Sequence, residues 1–221
     1  MAGTVTGLVV QKRNQKRVNV YLDGVYGFPL DLAVVLKWGL KNGQQLSDEE
    51  IAHLTAADDV EKAYNRALNL LSYRPRSVAE VRRNLQGKKI VPETIETVVA
   101  RLTQNGLLDD VAFARFWVEN RTAFSPRSGR LMSYELRQKG VAGGDIEIAL
   151  PSEDRDSANE AATRRARSLA SLDYEAFRKR LLPYLQRRGF GYETAAEAVE
   201  AAWRESHAAD RDDIIAGVAP A

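Results

Sequence analysis

Cysteine is missing from the chain, and histidine and methionine nearly are, with 2 of each among 221 residues. Without thiols there are no disulfides, thiolate metal sites or cysteine nucleophiles, and the cytoplasm is the expected location. His53 and His207 stand far apart, with no second imidazole at metal-ligand spacing, so each reads as an ordinary surface or helix residue. No run reaches the roughly 18 uncharged residues that a membrane span needs. The apolar stretch near the start stops at Val10, before Gln11, Lys12 and Arg13, and no basic residue precedes it, so no secretory leader is expected. A strong charge of one sign is also lacking: 32 basic residues face 30 acidic ones, for a formal net charge of +2. That excludes a uniform polycation but allows a basic face. Signatures of chemistry are absent too: no Gly-rich phosphate loop, His-Glu-x-x-His pair, Gly-x-Ser-x-Gly elbow or dinucleotide fingerprint. The expectation is a protein that is not an enzyme and holds no cofactor or metal.

The residues that are present fall into two regimes. From Thr4 to Lys12 and from Arg17 to Phe28, β-branched and aromatic residues are dense, and Val18, Val20 and Leu22 alternate with Arg17, Asn19 and Tyr21. Asn14-Gln15-Lys16 and Asp23-Gly24 supply the turns of a small antiparallel sheet. A short helix is expected from Asp31 to Trp38, and Ser47 with Glu50 forms the capping box of another. After about residue 57 the period is helical. Ile95, Val98, Val99 and Leu102 mark one buried helix face, with Pro92 at its start and Asn105-Gly106 at its end.

The helical part repeats itself. Leu85-Gln86-Gly87-Lys88-Lys89-Ile90, Leu136-Arg137-Gln138-Lys139-Gly140-Val141 and Leu185-Gln186-Arg187-Arg188-Gly189-Phe190 share one pattern at intervals of about 50 residues. Five residues beyond each final apolar position lie Ile95, Ile146 and Ala195, and eight before each leucine lie Ser77, Ser128 and Phe177, the first two being good N-caps. Ser77 and Glu80 form a second capping box. Each unit reads as three helices, the first long (near 58–73, 110–122 and 154–171). A unit of this size buries little alone, so neighbours should pack into an elongated, curved array. The expected organisation is a β-rich segment at 1–57, three-helix repeats at 58–109, 110–152 and 153–206, and a flexible tail at 207–221.

Asp109-Asp110 is an adjacent carboxylate pair that suggests metal or acid–base work. It follows Asn105-Gly106-Leu107-Leu108 where a helix should begin, and capping is the stronger reading. The positive signal is the return of basic residues at one place in each unit. These are Arg74, Arg76, Arg82, Arg83, Lys88 and Lys89, then Arg127, Arg130, Arg137 and Lys139, then Arg178, Lys179, Arg180, Arg187 and Arg188. Stacked repeats would align them into an edge able to follow phosphates or face an acidic protein groove. Cationic C-caps and solvated faces explain any one of them equally well. Much of the acid lies after Pro151, for example Glu153, Asp154, Asp156, Glu193, Glu197 and Glu200. Phe113, Phe116, Trp117, Tyr174, Phe177, Tyr184 and Phe190 sit at helical spacings that suit a core better than base stacking.

Four motifs in order resemble the RecX regulatory protein family: Ala67-Leu68-x-Leu70-Leu71-x-x-Arg74-Pro75-Arg76-Ser77-x-x-Glu80, Leu107-Leu108-Asp109-Asp110-x-x-Phe113-Ala114, Glu135-Leu136-x-x-Lys139-Gly140-Val141, and Leu185-x-x-Arg188-Gly189-Phe190. The resemblance covers about residues 58–205. It implies a bacterial cytoplasmic protein, built of three-helix repeats, that binds the RecA recombinase filament on DNA and modulates it, generally by inhibition. It also implies some affinity for DNA and no catalysis. The chain is expected to be a monomer away from membranes, and its candidate contacts are Arg74, Arg76, Arg82, Lys88, Arg127, Arg137, Lys139, Arg187 and Arg188. Two features depart from the family pattern. Lys89 stands where glycine is usual, so the first turn is expected to close differently, and the β-rich N-terminal segment lies outside the commonest, purely helical form.

Overall fold

The computed structural model describes residues 2–208; the expected tail therefore falls, after Ala208, outside the described residues. The chain divides into two compact units, Met1–Leu108 and Asp109–Ala221. The first opens with strands β1 (Gly3–Val10), β2 (Arg17–Leu22) and β3 (Val25–Asp31), followed by helix α1 (Leu32–Lys37) and the short strand β4 (Gln45–Leu46). The sheet order is β3-β2-β1-β4, with every pairing antiparallel. Asp23 and Gly24 both adopt positive φ, 51° and 80°, the handedness a two-residue hairpin requires. Alternation then sends Val18 and Val20 inward with Val5 and Leu30, where Val34, Leu46 and Leu54 close a small core.

Helix α2 (Asp48–Leu71) is one continuous 24-residue helix, where the sequence suggested a short helix followed by a longer one. The Ser47–Glu50 capping box starts it. Neither glycine nor proline interrupts it before Leu71, so the division at residue 57 falls inside a helix. Asp58, in its middle, is 1% exposed. Its Oδ1 accepts from Arg17 Nη1 of β2 at 2.6 Å and from the backbone N–H of Asp31 at 2.5 Å, while Lys62 Nζ lies 2.9 Å from Oδ2. Burial works against the Lys62 charge, but Asp58 and Asp59 outweigh it and raise its pKa. One buried carboxylate thus ties the sheet to the helix that begins the first repeat.

α2 packs with α3 (Val78–Gln86) and α4 (Pro92–Gln104) around Ala63, Ala67, Val81, Leu85, Ile95, Val98 and Leu102. All four residues of the expected α4 stripe are buried. In the second unit, α5 (Asp110–Phe124), α6 (Gly129–Gln138) and α7 (Gly143–Ala149) form one repeat, and α8 (Arg155–Ala166), α9 (Tyr174–Arg187) and α10 (Tyr192–Ser206) the next. α8 ends five residues earlier than expected. Phe177, at the position equivalent to the two N-cap serines, is instead fully buried inside α9; Asp173 is the cap, so the third middle helix begins a turn earlier. Alanines 158, 161 and 162 of α8 and 195, 198 and 202 of α10 are buried together in that repeat. Small side chains at a helix contact allow close approach.

The three middle helices end alike. Lys89, Gly140 and Gly189 have φ of 60°, 82° and 93°. In each case the next residue (Ile90, Val141, Phe190) donates its N–H to the carbonyl of the leucine that opens the motif, at 3.4, 3.1 and 3.3 Å. The first turn therefore closes as the others do, correcting the expectation for Lys89, whose side chain is simply forced into the left-handed region. A Cβ on Gly189 would run into Ser128 Oγ and come within 2.9 Å of Leu131 Cβ.

Three stability effects follow, each read from the urea unfolding midpoint. Asp58→Ala should cost about 3 kcal/mol, because it strands a buried guanidinium and an amide, with Asp58→Asn retaining part of the loss. Lys89→Gly should stabilise by about 1 kcal/mol by relieving left-handed strain. Gly189→Ala should cost about 2 kcal/mol through strain and overpacking.

Candidate functional site

The nine candidate cations separate by what already holds them. In the first unit, the Arg74 guanidinium forks onto Glu80, both bonds 3.1 Å, and Glu80 in turn gives its backbone N–H to Ser77 Oγ, the N-cap of α3. Arg82 reaches across to Glu96 of α4 at 2.7 and 2.9 Å, and this hydrogen bond lowers the Glu96 pKa. Arg76 is half-buried, its Nε shielded from solvent without a hydrogen-bond partner. Lys88 is exposed at the α3–α4 turn.

In the second unit, Glu135 of α6 is a hub. Its carboxylate accepts from Trp117 Nε1 at 2.8 Å, from Arg121 Nε at 2.8 Å and from Arg127 Nη1. Arg121 and Lys139 both lie against the Trp117 ring, at 4.4 and 4.3 Å from its centroid. Burial lowers the Arg127 pKa, and the positive charges of Arg121 and Arg188 add to the effect. A guanidinium nevertheless stays protonated at neutral pH. Two arginines share the one carboxylate, and Arg188 lies close enough for its charge to act on Arg127, so this half-buried cluster carries excess positive charge.

Arg188 joins two repeats. Its Nη1 donates to Ser125 Oγ at 2.9 Å and to the carbonyl of Pro126 at 3.0 Å, while its own carbonyl accepts from Ser128 N–H at 3.0 Å. Its guanidinium also lies 4.6 Å from the Tyr184 ring centroid. Beside it, Asp154 Oδ1 accepts from Gly129 N–H at 2.6 Å, bringing the start of α8 onto the start of α6. The cation in the fourth motif position thus does different work in each repeat: Lys88 faces solvent, Lys139 covers a tryptophan, and Arg188 clips two repeats together. Lys88, Arg137 and Arg187 are the exposed members with no ion pair among the described residues.

Asp109 is the N-cap of α5, accepting from Ala112 N–H at 2.9 Å, and Asp110 occupies the first turn. Trp203 belongs to the third-repeat core, edge-on to Tyr174 and Phe177 and stacked 3.6 Å from the His207 ring. Trp38 is 45% exposed. Among the described residues no helix is long and apolar enough to cross a membrane. Sequence reasoning missed the Asp58 centre and the hub role of Glu135. The available signal for the hub was Trp117 and Arg121 one helical turn apart, but nothing in the sequence linked them to Glu135.

Comparison with known proteins places these features in a family. Four domain models match in succession: the RecX N-terminal domain at 3–47 and the first, second and third RecX three-helix domains at 63–102, 109–150 and 153–199. The β-rich segment, for which the sequence suggested no role, therefore matches a RecX domain of its own. The regulatory protein RecX of Bacillus subtilis is 33% identical over 200 residues, covering 89% of this chain and 76% of the relative. That of Bacillus pumilus is 31% identical over 203 residues, covering 90% and 77%. A crystal structure of a regulatory protein RecX superposes with a TM-score of 0.73 at 26% identity, covering 90% of this chain and 99% of the other. RecX from Lactobacillus salivarius gives 0.59 at 26% identity, covering 66% and 97%. With its sheet, its three repeated helix triplets and their shared left-handed turns, the chain belongs to the RecX family of regulatory proteins.

Proposed function

We propose that the chain is a regulator without catalytic activity that binds the RecA recombinase filament on DNA, in the bacterial cytoplasm and as a monomer, and inhibits ATP hydrolysis and strand exchange. The observation that carries this reading is the ordered succession of four RecX domains along the chain. Exposed, unengaged cations at the repeat turns, namely Lys88, Arg137 and Arg187, supply the chemistry. Such heads can meet carboxylates or phosphates without first breaking an internal ion pair. Arg74, Arg82 and Arg127 would have to give one up, and Arg188 its hydrogen bonds to Ser125 and Pro126, or act through their remaining N–H groups. Regulation requires only that one filament state be bound better than another, since the equilibrium shifts by the difference in affinity.

The same free cations support a second reading, in which DNA is the principal target. The two differ in salt dependence and in the need for recombinase. Phosphate contacts by three cations give a log–log salt slope of about −2 to −3 on bare DNA.

DNA-dependent ATP hydrolysis by the cognate RecA, followed with increasing amounts of the chain, tests the first reading. The rate should fall, and K88E/R137E/R187E should require at least tenfold more protein for the same effect. An unchanged rate and filament length at saturating protein would sink it. Tight, salt-steep sedimentation with bare DNA that RecA does not strengthen would favour the second.

A further inference from the structure

The first unit carries an open groove of about 1290 Å³, walled by one face of α2, the α3–α4 turn and the β1–β2 turn. That is larger than the roughly 300–1,000 Å³ typical of small-molecule pockets. Four exposed cations converge on it: Lys16 from the hairpin, Arg66 from α2, and Lys88 and Lys89 from the turn. None of them makes an ion pair among the described residues. The acids on its walls are engaged, Asp59 with Lys62 at 3.0 Å and Asp31 as the N-cap of α1, accepting from Ala33 N–H at 2.9 Å. Cations gathered on the lining of one concavity raise its local positive potential and favour an anionic occupant.

The rest of the lining narrows the chemistry. Leu68, Ile90 and Val91 give an apolar strip, and Val91 is 57% exposed although it lies on the wall of a concavity. Asn65 and Asn69 present carboxamides, which both donate and accept and so match a peptide main chain. The phosphodiester backbone of DNA offers acceptors only. Among the described residues no aromatic ring lines the groove, whereas grooves for single-stranded nucleic acid stack bases on aromatic side chains.

We propose that this groove binds an extended acidic segment of a partner protein, with carboxylates on the four cations and an aliphatic side chain on the Leu68–Val91 strip. The site goes beyond the recombinase reading and is tested without recombinase or DNA, so either can fail alone. The probe is a fluorescein-labelled glutamate-rich peptide carrying two leucines, titrated with the full chain and followed by fluorescence anisotropy. Binding should saturate, weaken at least tenfold in K16E/R66E, and weaken severalfold when both leucines of the peptide become serine. R115E, in the other unit, should bind as the parent chain does. Three results would each overturn the proposal: no saturable binding, equal affinity in K16E/R66E, or an oligothymidylate that displaces the peptide and loses affinity in the same variant. Far-ultraviolet circular dichroism of K16E/R66E should match the parent, since both side chains are exposed.

Discussion

Each three-helix unit turns on one residue held at positive φ, and the rest of the repeat is arranged around it. Lys89, Gly140 and Gly189 reverse the chain so that the following apolar residue returns its N–H to the helix just ended. That bond satisfies a carbonyl the helix would otherwise leave open. It also fixes the next helix relative to the last, which sets where Ile95, Ile146 and Ala195 enter the core. The cation before the turn residue has a fixed backbone position for the same reason. Its environment is not fixed, because that depends on which elements lie above the turn.

The distinction explains why a regular sequence pattern does not produce a regular set of contacts. Lys88, Lys139 and Arg188 occupy one motif position, yet one faces solvent, one covers Trp117 and one is committed to Ser125 and Pro126. Gly189 is required twice over, by its φ and by the closeness of Ser128. At the Lys89 turn the cost of a side chain in the left-handed region is tolerated, and the result is one more positive charge on the groove of the first unit.

Ion pairing sorts the basic residues into structural and available ones. Asp58 and Glu135 each gather several donors, one behind a sheet and one between helices, and each holds together elements distant in sequence. Removing a partner from such a centre is costly because the remaining charge stays desolvated. Exposed cations such as Arg137 and Arg187 carry no such commitment among the described residues. Near-neutral overall composition therefore coexists with local surfaces of strong positive charge.

The periodic features were legible in the residues alone: the hairpin at Asp23-Gly24, the stripe of α4, the caps at Ser47, Ser77, Ser128 and Asp109, and the recurrence of three helix triplets. These are local or fixed-interval signals, set by backbone preference and by which side of a helix must be dry. The folded chain added that α2 runs unbroken through residue 57, that Phe177 lies inside α9, and that Asp58 and Glu135 are hubs. It also decided which arginines are spent on internal pairs. The hubs depend on side chains distant in sequence meeting in space, as Arg121 meets Glu135 14 positions away and Arg17 meets Asp58 41 positions away. A one-dimensional pattern carries no record of such meetings when the residues involved are common charged ones.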